Sequence, residues 1–211
     1  AASAGVDNAG AGHSASWADY DNDGDLDLLV TTGANEDDLF YVNSGNGVFV
    51  EVGTAIGLQG GTSSRGGAFG DYDGDGALDL ALSTGTGKTS KLYRNNGNNN
   101  NWLKVDLDSS FDSPVGALIT AYTGATKQSR VIDGGSGLHS QSGGLLASFG
   151  FAATATIDSV IVDWATGGQQ IETSVSANQT LTITQGSSTH QDIASASGVH
   201  DNTGKGADIG W

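Results

Sequence analysis

Apolar residues occur in short bursts along the chain, and each burst is bounded by residues that favour turns. Leu28-Leu29-Val30 and Leu80-Ala81-Leu82 are two such bursts, flanked by Gly, Asn, Asp, Ser and Thr. Apolar runs of this length between turn residues are typical of short β-strands. No long segment has the apolar period of an amphipathic helix. The pattern therefore predicts an all-β protein with many turns.

The pattern of the first half of the chain repeats with a period of 52 residues. Residues 39–45, for example, resemble residues 92–97. Each copy predicts four short strands, the fourth at residues 48–52 in the first copy and at residues 102–107 in the second. Four strands are the content of a propeller blade, and a closed ring takes about four to eight blades. We therefore expect another element to cover the faces of these two blade-like repeats.

A different β pattern covers residues 114–185. It predicts a hairpin around Gly124-Ala125 and, at residues 157–164, a strand that alternates between apolar and polar positions. The alternation places three apolar side chains on one face: Val160, Val162 and Trp164. We expect a compact antiparallel β-sandwich-like domain that packs with the two repeats.

The two repeats each contain an acidic loop of the form D-x-D-x-D-G-x-x-D. So many carboxylates in nine residues repel one another unless a cation lies among them. Calcium prefers about six to eight oxygen ligands, which positions 1, 3, 5 and 9 would supply through carboxylates and position 7 through its backbone carbonyl. The predicted ligands of two calcium sites are Asp19, Asp21, Asp23, Asp25 and Asp27 in the first loop and Asp71, Asp73, Asp75, Ala77 and Asp79 in the second.

Two alternatives to this interpretation were weighed. The loops are not helical EF-hands, because position 12 falls on Val30 and Leu82 where an EF-hand needs a bidentate Glu. Asp and Gly also favour tight turns without any metal. Because two such loops occur in register, we favour calcium over turns alone.

The acidic loops account for much of the net charge of −16, since they hold nine of the 24 acidic residues. An acidic chain with few Lys and Arg argues against binding to nucleic acid or to anionic membranes. The chain has no cysteine, and no apolar run approaches the roughly 20 residues of a membrane span. Because no signal peptide begins at Ala1, we expect a mature product or a fragment.

The C-terminal residues resemble the lead-in to the first repeat, with Trp211 in the place of Trp17. We divide the chain into two repeats with calcium loops (residues 1–110), a β domain (residues 111–186) and a partial third repeat or linking segment (residues 187–211). Three interpretations of the last segment stay open. The chain is a piece of a longer array, or this segment docks on a neighbouring copy, or the boundary is arbitrary.

No set of residues in the sequence predicts catalysis. Residues 85–89 have some features of a phosphate loop, but they lack its upstream Gly and open no helix. His139 and Ser140 have no marked acidic partner. The four tryptophans are expected to anchor cores, although a sugar-binding aromatic platform is a weaker alternative. We therefore expect no catalytic residues, no organic cofactor and no enzymatic activity.

Two stretches of the sequence resemble known families. Residues 17–27, together with residues 92–97, resemble the FG-GAP/VCBS repeats of integrin-like β-propellers. The stretch that begins at Asn101 resembles the ASPIC/UnbV domain, through residues such as 158–164. Residues 165–167 depart from the Pro-Ser-Gly that this family usually has.

The resemblance implies a secreted or surface-exposed calcium-binding β protein used for adhesion or assembly. We therefore expect a non-enzymatic extracellular module of a surface protein or fibre, with two bound Ca²⁺ ions. Its expected partners are other copies of itself or neighbouring repeats of a larger chain. One alternative is a filament subunit in which residues 189–211 complete the β structure of the neighbouring copy. The other is a lectin-like module that binds glycans.

Overall fold

A computed structural model describes residues 4–6, 10–33, 36–45, 47–58, 63–85, 87–108, 113–134 and 145–186. These residues form an all-β structure, as predicted. None of the described residues belongs to a helix long and apolar enough to cross a membrane. The strands are β1 (Gly12–Ala18), β2 (Asp27–Thr32), β3 (Leu39–Asn43), β4 (Phe49–Glu51), β5 (Ser64–Gly70), β6 (Asp79–Thr84), β7 (Lys91–Tyr93), β8 (Trp102–Asp108), β9 (Leu118–Thr123), β10 (Thr126–Val131), β11 (Leu146–Gly150), β12 (Thr156–Asp163), β13 (Gln169–Ser176) and β14 (Gln179–Thr184).

The first repeat unit is an antiparallel sheet in the order β1-β2-β3-β4, and the second repeat unit is a sheet in the order β5-β6-β7. The two units pair their strands in the same register. Trp17 lies opposite Leu28 in the first unit, and Phe69 lies opposite Leu80 in the second. Each unit also has a register shift near the start of its first strand. The predicted duplication is therefore present in the backbone as well as in the sequence.

The prediction of a fourth strand in the second unit is wrong for the described residues. The expected strand is β8, and it pairs antiparallel with β11 and parallel with β14 instead of with β7. The physical reason is the apolar face of β8, where Leu103, Val105 and Leu107 are buried in the core of the following domain. The domain boundaries set from the sequence stay predictions.

The remaining strands form a sandwich of two sheets, β10-β9-β12-β13 and β11-β8-β14. The predicted hairpin around Gly124-Ala125 is confirmed, since Thr126 pairs with Thr123 across it. The predicted apolar face of β12 is also confirmed, because Val160, Val162 and Trp164 are all buried. The sandwich is not purely antiparallel, however, because the β8–β14 pair is parallel.

A small core joins the two repeat units, and it consists of Leu29, Phe40, Leu58, Leu80 and Leu82. The units also share a buried polar contact, in which the Ser16 hydroxyl donates to the Gly67 carbonyl at 2.8 Å. Gly67 is required here because any Cβ at this position would overlap the Leu29 side chain. The first strands of the two units therefore lie close together, side by side.

The expectation that every tryptophan anchors a core is wrong for Trp17, whose side chain is 46% exposed. Its neighbours Ser16 and Ala18 point towards the second unit and are buried. Because side chains alternate along a strand, Trp17 faces the other way. Trp164 is buried as expected, and its indole N–H donates to Gln170 Oε1 at 2.6 Å. Trp211 and the rest of residues 187–211 lie outside the described residues, as do His139 and Ser140.

Candidate metal centres

Each acidic loop connects the first and second strands of its unit, and the two loops have the same backbone conformation. The first acidic loop is residues 19–27 and the second is residues 71–79. Position 4 has positive φ in both loops, at Asn22 and Gly74, and so does position 6, at Gly24 and Gly76. Asn and Gly tolerate this left-handed conformation better than other residues. The sequence therefore curls each loop so that its acidic side chains turn towards one another.

Three carboxylates converge in each loop, with one oxygen atom of each lying within 4.8 Å of the others. They are the side chains at positions 1, 3 and 9, namely Asp19, Asp21 and Asp27 in the first loop and Asp71, Asp73 and Asp79 in the second. Three oxygens so close together are a partial coordination shell for a hard cation such as Ca²⁺.

The carboxylates at position 5 make local contacts in the loop instead of joining either group of three. Asp23 Oδ1 accepts from the Asp25 N–H at 2.9 Å, and Asp75 Oδ1 accepts from the Ala77 N–H at 2.9 Å. The position 7 residues differ in exposure, since Ala77 is buried and Asp25 is exposed. The roles of positions 5 and 7 as ligands stay predictions.

The last carboxylate of each loop ties three segments of its unit together. Asp27 Oδ2 accepts from the Tyr20 N–H at 2.9 Å, and its Oδ1 accepts from the Asn43 N–H at 2.8 Å. In the second loop, Asp79 makes the equivalent bonds to Tyr72 and Asn95, at 3.0 and 2.8 Å. This closing position therefore has a structural role as well as a possible role as a ligand.

The first loop contains a buried carboxylate oxygen with no partner. Asp19 is only 2% exposed, and its Oδ2 accepts from the N–H groups of Gly24 and Gly150 at 3.1 and 2.9 Å. Its Oδ1 is buried without any hydrogen bond. An unpaired buried carboxylate oxygen is costly, and a metal ion in this loop would supply the missing partner. The residues of the first loop therefore fit a cation.

Burial also raises the pKa values of the first loop. It raises the pKa of Asp19 to about 7, with Asp23 and Asp21 adding to the rise and Arg130 opposing it. Burial raises the pKa of Asp27 to about 7 as well, although hydrogen bonds from Asn43 and Tyr20 act against the rise. The pKa of Asp21 is raised by burial and by its acidic neighbours. The loop therefore holds its negative charge reluctantly when no cation is present.

The second loop differs because two basic side chains reach its carboxylates. Lys104, which lies on β8 in the sandwich, forms a buried ion pair with Asp71. Arg94 donates from Nε to Asp73 at 2.6 Å and from Nη2 to Asp75 at 3.1 Å. The bond from Arg94 lowers the pKa of Asp73 below its usual value. The same pattern of acids is therefore partly neutralised by the protein itself.

The asparagine tract (residues 95–101) holds the first loop from outside. The Asn95 side chain donates to the Tyr20 carbonyl at 2.7 Å, and the side chains of Asn98 and Asn100 both donate to the Asp21 carbonyl. Our sequence analysis missed this role. The unusual run of Asn between the second unit and the sandwich was the only signal of it.

The sandwich reaches the first loop through the end of β11. The Ala152 N–H donates to the Asn22 carbonyl at 2.9 Å, next to the bond from Gly150 to Asp19. Gly150 has no space for a side chain, because a Cβ there would overlap the Asp19 carboxylate and the Asn22 backbone. The Asn22 side chain in turn donates to the Gly76 carbonyl of the second loop at 3.3 Å. The first loop is therefore a junction of both repeat units and the sandwich.

The fold and the loops define an all-β protein in which repeats with acidic loops lead into a β-sandwich. Comparisons with family models agree with this description. Residues 19–82 match the FG-GAP-like repeat, and residues 108–190 match the ASPIC and UnbV family. The chain thus contains an FG-GAP-like repeat region followed by an ASPIC and UnbV domain.

Among proteins of known name, the chain is similar to cartilage acidic protein 1. It is 36% identical to the Homo sapiens protein over 132 residues, and this match covers 57% of the chain. The Mus musculus and Xenopus tropicalis proteins are 35% and 33% identical over the same length. The match spans only 20% of the human relative's length, so the similarity concerns one part of a longer protein.

Proposed function

We propose that this chain is a non-enzymatic extracellular module in which calcium bound at the two acidic loops stabilises the β structure. One observation carries the calcium proposal. Three carboxylates of the first loop lie within 4.8 Å of one another, and Asp19 Oδ1 among them is buried without a hydrogen-bond partner. FG-GAP repeats typically bind calcium, which agrees with this chemistry.

Calcium would act mainly through stability. The Asp19, Asp21 and Asp27 side chains would hold the ion in the first loop, and the bound ion would offset their mutual repulsion. Because Asn22 and Asp19 also contact the sandwich, a calcium-ordered first loop would strengthen the docking of the sandwich on the repeats. Metal binding would therefore favour one arrangement of the repeats and the sandwich.

The test is calorimetry combined with thermal unfolding. Titration of the metal-free protein with Ca²⁺ should give two sites, and the unfolding midpoint should be higher with calcium than with a chelator. Extracellular modules typically bind calcium with Kd of about 10⁻⁴ to 10⁻³ M, so the titration must extend to millimolar concentrations. Mg²⁺ at the same concentrations is the control, and an unchanged midpoint with calcium would disprove the structural role.

We further propose an adhesive or structural role in a larger surface protein or fibre. The short match to its long relatives supports a role as one part of a larger protein, and the two matched domains support an extracellular location. A binding assay of the immobilised protein on cells, with and without calcium, tests the adhesive part. Equal binding to immobilised albumin would contradict it.

A second candidate function is the subunit of a filament, in which residues 189–211 of one copy complete the β structure of the next. The observation that favours it is the outer edge of the second unit. Strand β7 is the last strand of its sheet among the described residues, and Leu92 on it is 59% exposed. Deletion of residues 189–211 should then abolish polymers seen by electron microscopy, and polymers that survive the deletion would rule this candidate out.

A further inference from the structure

A cleft of about 420 Å³ lies where the first strands of the two repeat units meet β10 and β11 of the sandwich. Its size falls within the range of small-molecule sites, which often lie between domains. The ends of β1 and β5 form one wall, and Arg130, Val131 and residues 145–148 form the other. Neither the calcium proposal nor the similarity to known families assigns a role to this cleft.

The cleft is lined by large apolar side chains that remain exposed to solvent. Four of them are Trp17 at 46%, Val131 at 57%, Leu145 at 53% and Leu146 at 42% exposure. They come from three separate parts of the chain, so their gathering around one concave space is a property of the fold. Apolar patches of this kind, placed in a concavity, are typical of ligand sites.

The charged groups of the cleft are not equivalent. Asp71 and Lys104 pair with each other, and Asp19 Oδ2 accepts from two backbone N–H groups. Arg130 has no carboxylate within ion-pair distance among the described residues. Its guanidinium lies over the Phe149 ring, 5.0 Å from the centroid, and donates from Nη1 to the Ser129 carbonyl at 3.1 Å.

Arg130 therefore retains both its charge and donor capacity. A guanidinium has five N–H donors, and its fork geometry suits a carboxylate. Stacking on Phe149 holds the Arg130 group in place, so little order would be lost when it binds an anion. The unpaired cation and the surrounding apolar side chains together specify a ligand with one acidic end and an apolar body.

We propose that this cleft binds a small amphipathic carboxylate, with the carboxylate on Arg130 and the hydrocarbon or aromatic body against Trp17, Val131 and Leu146. A sugar acid fits less well. The polar groups named above are already bonded within the protein, so the hydroxyl groups of a sugar would lose water without finding partners. The proposal does not rest on calcium, although calcium in the first loop would offset the nearby negative charge of Asp19.

The test compares probes that share either the body or the charge. Octanoate, octanol and glucuronate are titrated into the protein below the micelle concentration of octanoate, with the indole N–H signals followed by NMR. The Trp17 signal is assigned with Trp17→Phe. Octanoate should shift this signal and bind at least about tenfold more tightly than octanol, the factor expected for a hydrogen bond to a charged group.

The variants assign the binding to the cleft. Arg130→Gln should remove the preference for octanoate over octanol, and Arg130→Lys should retain part of it. Trp17→Ala should weaken both ligands. The matched controls are Arg65→Gln and Leu92→Ala, which change an exposed Arg and an exposed apolar residue outside the cleft, and both should bind as the unmodified protein does.

Three results would overturn the proposal. They are equal affinities for octanoate and octanol, unchanged octanoate affinity in Arg130→Gln with an unchanged unfolding midpoint, and tighter binding of glucuronate than of octanoate. The titrations are repeated in chelator, with calcium binding measured separately by calorimetry. Loss of calcium binding and loss of carboxylate binding are then distinguishable.

Discussion

The two acidic loops share a sequence pattern and a backbone conformation but differ in the charges around them. In the first loop, Asp19 has a buried oxygen without a partner, and no Lys or Arg of the described residues forms an ion pair with the loop. In the second loop, Lys104 pairs with Asp71 and Arg94 pairs with Asp73 and Asp75. The local pattern determines the shape of a loop, whereas its tertiary neighbours determine how strongly the loop needs a metal. We therefore expect the first loop to depend on calcium more than the second.

The largest expected effect is that of removing the buried cation of the second loop. Lys104→Met leaves Asp71 buried without its ion-pair partner. Loss of one partner of a buried pair typically costs about 3–5 kcal/mol, so the free energy of unfolding in chelator should fall by about that amount. Calcium should restore part of the loss, because the ion would replace the missing positive charge.

Urea denaturation with and without calcium measures this effect. The control is Lys127→Met, since Lys127 is an exposed residue of β10 and its loss should change stability by less than about 0.5 kcal/mol. Equal losses for the two variants would show that the Lys104–Asp71 pair does not compensate the second loop.

The next effect compares equivalent ligands of the two loops. Asp21→Asn and Asp73→Asn each remove the charge at position 3 of a loop. The first variant should lose most of the stabilisation that calcium gives to its site, which is about 2.7 kcal/mol at a free calcium concentration 100 times Kd. The second should lose less, because calcium at this loop already competes with Arg94 for Asp73.

Denaturation in calcium and in chelator gives the stabilisation of each variant. Asp106→Asn, at a carboxylate of β8 outside both loops, is the control and should retain the full effect. A greater loss in Asp73→Asn than in Asp21→Asn would reverse our ranking of the two loops.

A smaller effect is expected where the sandwich meets the first loop. In Gly150→Ala, the new methyl group would overlap the Asp19 carboxylate and the Asn22 backbone. Overpacking of this kind costs about 1–3 kcal/mol, and calcium affinity should fall with it. Gly70→Ala is the matched control, because a Cβ at Gly70 meets no atom within 4 Å. Equal stability of the two variants, measured by urea denaturation, would show that this contact is unimportant.

The smallest single step is expected from pH. The pKa of Asp19 in the folded protein is about 7, against 3.8 for an ordinary aspartate. Between these values the folded state binds a proton that the unfolded state has released, so in chelator stability should rise as pH falls from about 7 towards 4. The slope is at most about 1.4 kcal/mol per pH unit for one carboxyl group.

Denaturation in chelator at a series of pH values measures this slope. Asp19→Asn should reduce it, and calcium should reduce it as well because the metal binds the deprotonated carboxylates. A stability that falls on acidification between pH 7 and 5 would contradict the prediction.

Local patterns in the sequence were enough to predict much of the fold. The alternation at residues 157–164 and the turn at Gly124-Ala125 depend on neighbours in the chain, and both are confirmed. The position of β8 could not be predicted in this way. Its alternation shows which side chains share a face, but β14, with which it pairs, lies about 75 residues later in the chain.

The acidic loops were also apparent in the sequence, because all their carboxylates lie within nine residues. Their surroundings were not. Lys104 and Gly150 reach the two loops from distant strands of the sandwich, and no spacing in the sequence marks them. The exposure of Trp17 was missed for a similar reason, since an aromatic residue in a strand pattern does not show whether another sheet covers it.

The parallel pairing of β8 with β14 has a mechanical consequence. The chain enters β8 at Trp102 and leaves β14 at Thr184, and the ladder joins Gln179 with Leu103 at one end and Thr184 with Asp108 at the other. Tension along the chain would therefore pull on opposite ends of one parallel ladder. Its hydrogen bonds would be loaded together in shear, whereas a hairpin pulled at its open end breaks one bond at a time. The sandwich is thus built to resist stretching.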